Sequence, residues 1–208
     1  MERIGIYGGT FAPPHNGHVR AAAAFLQGAS LDHLYVMPAS VPPHKQLCFK
    51  DDPALRLAMA RMAFEGDNEK ITVSDYEIGK GGISYTADTL EYMKSISGGK
   101  LFFLCGTDMF LTLPTWRRAA DIFALATIVF VSREEGETLP AAVKEAALRY
   151  EAEYHAEILF LNVPPFPVSS SEIREKIARG EDVSDLVPES VLNLIKEHHL
   201  YETNSSDR

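Results

Sequence analysis

The chain has 208 residues, 46% of them apolar and 24% charged, with a formal net charge of -9. That is enough for one domain with a large core, and it is the wrong sign for a protein that coats nucleic acid or an anionic membrane. Two cysteines, Cys48 and Cys105, stand far apart with no CxxC pair, so no disulfide framework is expected and a reducing compartment fits.

The N-terminus runs straight into an apolar segment, residues 3–7, that reads as a buried strand. No basic stretch followed by an apolar one precedes it, and no apolar run approaches a membrane span, so a cytoplasmic protein without a signal peptide is expected. Next comes Gly8-Gly9-Thr10-Phe11-Ala12-Pro13-Pro14-His15-Asn16-Gly17-His18, then an alanine-rich helix over 18–27. A strand, a glycine-rich turn and a helix start bring backbone N–H groups and a positive dipole end together, which makes an anion site. His15 and His18 add two imidazoles that can donate to phosphate oxygens. The plainer reading is a loop with a histidine helix cap. Zinc on His15, His18 and His44 is a third reading, ranked lower because no Cys, Asp or Glu joins them locally.

A second strand is expected at 33–37, followed by a loop over 38–49 that contains Pro43-His44-Lys45. Asp52 as N-cap and Pro53 at the first helical position start a helix over 53–64. Residues 71–74 read as a strand, 85–95 as a helix after Ser84, and 100–105 as a strand. Gly106-Thr107-Asp108 then opens a helical stretch toward Trp116. Strands at 127–131 and 157–161 flank a helix over 141–153 that follows Pro140. The last third adds helices at 170–178 and 189–198 and a polar tail, 203–208. Several strands are short continuous apolar runs, as in parallel sheets covered on both faces. The expected fold is α/β: a Rossmann-like open parallel sheet with helices on both faces and a small helical C-terminal part. It would form a single domain over 1–202. In such sheets the ligand sits beyond the C-terminal strand ends, where the loops 8–18, 38–49, 106–116 and 132–138 begin.

Two common nucleotide motifs are absent. Gly5-Ile6-Tyr7-Gly8-Gly9 is not the G-x-G-x-x-G of dinucleotide folds, and Gly98-Gly99-Lys100 is followed by Leu101 rather than completing a P-loop. A second anion-binding end does stand at Ser169-Ser170-Ser171-Glu172-Ile173-Arg174. Ser169 and Glu172 have capping-box spacing, which explains those two alone. The extra hydroxyls and the guanidinium point to phosphate.

These segments together resemble the HxGH nucleotidyltransferase superfamily, with the glycine turn and His15-Asn16-Gly17-His18 at one end and Ser169–Arg174 at the other. Pro43-His44-Lys45, Gly82-Ile83-Ser84-Tyr85-Thr86-Ala87-Asp88-Thr89-Leu90, and Gly106-Thr107-Asp108-Met109-Phe110 through Leu113-Pro114-Thr115-Trp116 narrow the resemblance. They are similar to the bacterial nicotinate-nucleotide adenylyltransferase family, as is the ending Val187-Pro188-Glu189-Ser190-Val191 with Leu200-Tyr201. Ala12 departs from the Asp or Asn that the family often carries after the Phe of the first motif.

The resemblance implies a nucleotidyltransferase-type fold and transfer of AMP from ATP to nicotinate mononucleotide, with Mg²⁺ carried on ATP and held mostly by phosphates and water. It implies that His18 meets the α-phosphate and His15 the triphosphate, and that Ser170, Ser171 and Arg174 hold the β- and γ-phosphates. Gly8, Gly9, Thr10, Phe11, Gly106, Asp108 and Ile173 complete the ATP side, with Asp108 on ribose hydroxyls. On the second-substrate side it implies His44 and Lys45 near phosphate, backbone N–H groups by Ser84, Tyr85 and Thr86 on the pyridine carboxylate, and Trp116 stacked on the ring. Arg133 could face ATP or be a plain loop residue, Trp116 could be simple core, and Asp108 a helix cap. Competing readings are another adenylyl or cytidylyl transferase, for example one acting on phosphopantetheine, a non-catalytic nucleotide-binding module, and a metallohydrolase. Nucleic acid and membrane are not expected as partners. Oligomeric state is left open, a homo-oligomer included.

Overall fold

Among the residues that the computed structural model describes, 1–42, 52–66, 68–131, 139–163 and 166–202, six strands form one parallel sheet. They are β1 (Arg3–Gly9), β2 (His33–Pro38), β3 (Ile71–Val73), β4 (Lys100–Cys105), β5 (Ala126–Val131) and β6 (Ile158–Leu161), in the order β3-β2-β1-β4-β5-β6. All six match expected strands, with ends moved by at most two residues. The helices are α1 (Asn16–Gly28), α2 (Pro53–Phe64), α3 (Tyr76–Lys80), α4 (Thr86–Ser97), α5 (Thr107–Thr112), α6 (Ala119–Leu125), α7 (Ala141–Tyr154), α8 (Ser170–Ala178) and α9 (Glu189–Glu197). Of these, α3 and α6 carry no sequence expectation, because five to seven residues are too few to show a helical period.

Each central strand is apolar on both faces because both faces are covered. Ile4, Ile6, Leu101, Phe103, Ile128 and Phe130 pack with Leu90 of α4, Phe110 of α5, Ile122 of α6 and Tyr150 of α7. The alternate residues Tyr7, Phe102, Leu104, Val129 and Val131 pack with Phe25 of α1 and Phe64 of α2, as the two-residue period of a strand requires. A third cluster joins Met59 of α2 and Ile173 of α8 to Val191, Leu194 and Ile195 of α9, the expected C-terminal helical part.

Two helix starts follow the sequence closely. Asp52 accepts from the Ala54 amide at 2.8 Å with Pro53 in the first turn, and Ser169 and Glu172 form the capping box of α8. One departs from it: α4 is capped by Tyr85 rather than Ser84. The Ser84 hydroxyl instead accepts from the Ser40 amide at 3.0 Å, while the Ser84 amide donates to the Val41 carbonyl. This stitches the segment after β2 to the start of α4.

The chain leaves β1 toward β2 on one side and returns as β4 on the other. The loops beyond β1 and β4 therefore diverge, and a crevice opens between them at the switch point. No helix of the described residues is long and apolar enough to cross a membrane.

Candidate active site

Beyond β1 the backbone turns sharply. Phe11 lies in the left-handed region at φ 51°, an uncommon conformation for a residue with a side chain. Its ring is buried edge-on against Tyr7, His18 and Phe64, with centroids 5.2–5.4 Å apart. Gly9 makes room for that ring, since a Cβ there would fall 2.7 Å from Phe11 Cζ.

The helix after this turn starts at Asn16, two residues earlier than expected, so His15 is its N-cap and His18 its third residue. The His15 amide donates to His18 Nδ1 at 3.2 Å. A neutral His18 ring accepting at Nδ1 carries its proton on Nε2, so Nε2–H is the donor it can offer. The two imidazoles lie 3.6 Å apart, and His15 is buried between His18 and Phe166.

The start of α8 is sewn to the same turn. The Ser170 hydroxyl donates to the Pro13 carbonyl at 2.9 Å. Arg174 donates to the Ala12 carbonyl at 2.7 Å and to the Ser171 hydroxyl at 3.2 Å. At position 12, where this chain has Ala12 in place of the Asp or Asn of the resembled family, the backbone oxygen anchors Arg174. Hydrogen bonds from Ser169 hold the Glu172 carboxyl below the usual range, so it stays an ionised cap.

Gly8, Gly9, Thr10, Phe11, His15, His18, Gly106, Ser170, Ser171 and Arg174 all line one cleft of about 430 Å³. Two helix starts, α1 and α8, face it. Two expected members stand elsewhere. The Ile173 side chain is fully buried in the C-terminal cluster and its amide donates to the Ser169 carbonyl, so it packs rather than contacts a ligand. Asp108 lines a second, adjoining cleft, and it is not a helix cap: Gly106 holds the N-cap position of α5.

The second cleft, of about 450 Å³, shares Gly8, Gly9 and Thr10 with the first and extends past Ser84, Tyr85, Thr86, Trp116 and Arg117. Trp116 is half-buried, edge-on to Phe103 at 6.3 Å, with its indole N–H 3.3 Å from the Thr112 hydroxyl. One edge rests on the core and the residue also lines the cleft. Below it, Glu77 accepts from the Thr89 hydroxyl at 2.6 Å. Burial pushes its carboxyl upward, against the pull of hydrogen bonds from Thr89 and Ser84 and the charge of Lys80. His44, Lys45 and Arg133 lie outside the described residues.

Three contributors escape a reading of the sequence. Arg56 on α2 is wholly buried and donates to the carbonyls of Thr10, Ala39 and Ser40 at 3.0, 2.6 and 2.8 Å. Glu77 and Arg117 read as ordinary surface charges. Burial marks Arg56 and Glu77, and the place of Arg117 over the Tyr85 ring marks it; no local sequence signal carries either. Among the described residues no three His, Cys, Asp or Glu side chains are grouped to hold a metal ion. Burial pushes the Cys105 thiol far up, which makes it an inert core residue.

This geometry can bind a polyphosphate in one cleft and a ring-bearing anion in the next, with His18 beside the glycines they share. A family model described as cytidylyltransferase-like matches residues 6–176. A protein of Clostridium tetani named as a probable nicotinate-nucleotide adenylyltransferase is 36% identical, covering 97% of this chain and 100% of its own. One of the same name from Halalkalibacterium halodurans is 34% identical, covering 99% and 94%. Among solved structures, the Plasmodium falciparum nicotinic acid mononucleotide adenylyltransferase complexed with NaAD has a TM-score of 0.78 over 98% of this chain and 99% of its own. Its identity is 18%, a likeness of fold.

Proposed function

Since the chain belongs to the nicotinate-nucleotide adenylyltransferases of the cytidylyltransferase-like family, we propose that it joins ATP and nicotinate mononucleotide into deamido-NAD, releasing pyrophosphate, as a step of NAD biosynthesis. An oxygen of the mononucleotide 5′-phosphate attacks the α-phosphorus of ATP. A new P–O bond forms and the bond to the β-phosphate oxygen breaks. The nucleophile is already an anion near neutral pH, so no general base is required. Catalysis rests on alignment and on neutralising charge at the α-phosphate and the leaving group.

The observation that carries this reading is the convergence of the α1 and α8 starts on one cleft, tied by Ser170 to Pro13 and by Arg174 to Ala12, with His18 lining that cleft. His18 Nε2–H donates to the α-phosphate as charge develops there. Arg174, Ser171 and the helix ends receive the β- and γ-phosphates. His15 acts by packing His18 in place. Mg²⁺ arrives with ATP as part of that substrate, held by phosphates and water. On the other side Trp116 offers an aromatic face to the pyridine ring, and Asp108 is placed for ribose hydroxyls. A cytoplasmic setting, where both nucleotides are available, goes with this chemistry.

The test is pyrophosphate release from MgATP with the acid mononucleotide, the amide mononucleotide or phosphopantetheine as acceptor. Release with the acid, and faster than with the amide, is expected. No release with either mononucleotide overturns the assignment, and release with phosphopantetheine alone transfers it to the rival substrate.

A further inference from the structure

Arg117 and Arg118 are neighbours in the chain, yet the fold uses them in opposite ways. Arg118, at φ 59°, pairs with Glu91, with Asp121 at 2.6 Å and with Asp88 at 3.5 Å. It is a structural clamp between α4 and α6. Arg117 pairs with no carboxylate among the described residues. Its guanidinium lies 4.4 Å above the Tyr85 ring, on the wall of the second cleft. Asp88, whose carboxyl feels the charge of Arg117, is already held by Lys80 at 3.0 Å and by Arg118. The cleft's buried carboxyl, Glu77, is occupied with Thr89. Arg117 is thus a cation on the wall of this cleft that rests on an aromatic ring and has no carboxylate paired with it among the described residues.

We propose that Arg117 is a specificity-determining residue that favours an acid over an amide on the ring bound in this cleft. The proposal rests on the nicotinate mononucleotide reading and adds the source of its selectivity. The two substituents have nearly the same shape, and backbone N–H donors serve an oxygen of either. The acid carries a negative charge and accepts at both oxygens, where the amide has an NH2 donor in place of one, so a positive charge held nearby favours the acid beyond what the backbone donors do. The Arg117 guanidinium, over the Tyr85 ring on a wall that Thr86 and Trp116 also line, supplies that charge. The Tyr85 ring restricts its motion, so little is lost on ordering it.

The test compares kcat and KM for the acid and amide mononucleotides in the parent, Arg117→Gln and Arg117→Lys. Arg117→Gln should lower kcat/KM for the acid by about five- to tenfold, the scale of a partly exposed charge contact. The loss should appear in KM, because the ring contact is the same in ground and transition states. Values for the amide and the KM for ATP should stay unchanged. Arg117→Lys should keep most of the preference, and raising ionic strength should shrink the parent's preference toward that of Arg117→Gln. An unchanged acid-to-amide ratio in Arg117→Gln, or an equal loss with both substrates, overturns the role of Arg117 while leaving the function standing. A parent enzyme that does not turn over the acid at all overturns the reading beneath it.

Discussion

His18 has its Nδ1 occupied by the His15 amide, 3.2 Å away, so the ring is aimed by the backbone that precedes it. Packing against His15 and Phe11 leaves it little freedom to turn. A donor that is positioned before substrate arrives costs no reorganisation when charge builds on the α-phosphate. His18→Ala should therefore lower kcat by ~10²-fold or more with little change in thermal midpoint. A rate near that of the parent would remove His18 from the chemistry. The sequence predicts both histidines as site residues from their place after a glycine turn. The resemblance gives them different phosphates to meet, but not the burial of His15 against Phe166, which arrives about 150 residues later.

At the scale of elements, the sheet is pinned at one edge by polar contacts as well as by packing. Glu157, just before β6, pairs with Lys100 of β4 and accepts from the Thr127 hydroxyl of β5 at 2.8 Å. Its carboxyl is held below the usual range, first by Lys100 and then by Thr127. A lowered folded pKa means stability that is present above the unfolded carboxylate range and lost as pH falls through the folded value. The pair is largely exposed, so the gain is at most about 1 kcal/mol. Urea unfolding should find Glu157→Gln less stable than the parent by up to that amount at pH 7, with the gap closing in strong acid. A gap that persists or widens in acid would show that the carboxylate contributes nothing by its charge. The capping box of α8 and the Asp52 cap of α2 were legible here, since caps are local. The cap of α4 was not, because Ser84 is drawn away by Ser40, a partner from another loop.

For the molecule as a whole, the site depends on a residue outside both clefts. Arg56, buried on α2, holds the carbonyls of Thr10 after β1 and of Ala39 and Ser40 after β2. It sits beside Met59, through which α2 packs on the C-terminal helices. One guanidinium thus ties the glycine turn to the segment that braces Ser84. Arg56→Met should destabilise the fold by about 3 kcal/mol, from buried carbonyls left without donors. It should also raise KM for both substrates. Chemical denaturation and steady-state kinetics measure the two effects, and a variant as stable as the parent would show that the three bonds are not needed.

By itself the sequence determined the alternation of strands and helices, the parallel sheet, the glycine turn with His15 and His18, and the capped helix start at Ser169–Arg174. Each is written in neighbours: apolar runs, a cap, a turn, a spacing of three. Only the tertiary structure decided that Arg174 uses the Ala12 carbonyl, that Ile173 is core, that Asp108 faces the second cleft, and that Arg56 and Glu77 are interior. It also separated Arg117 from Arg118. The physical reason is the same throughout. What a polar side chain does depends on the partner that desolvates or neutralises it, and those partners lie on other elements that only the folded sheet brings near.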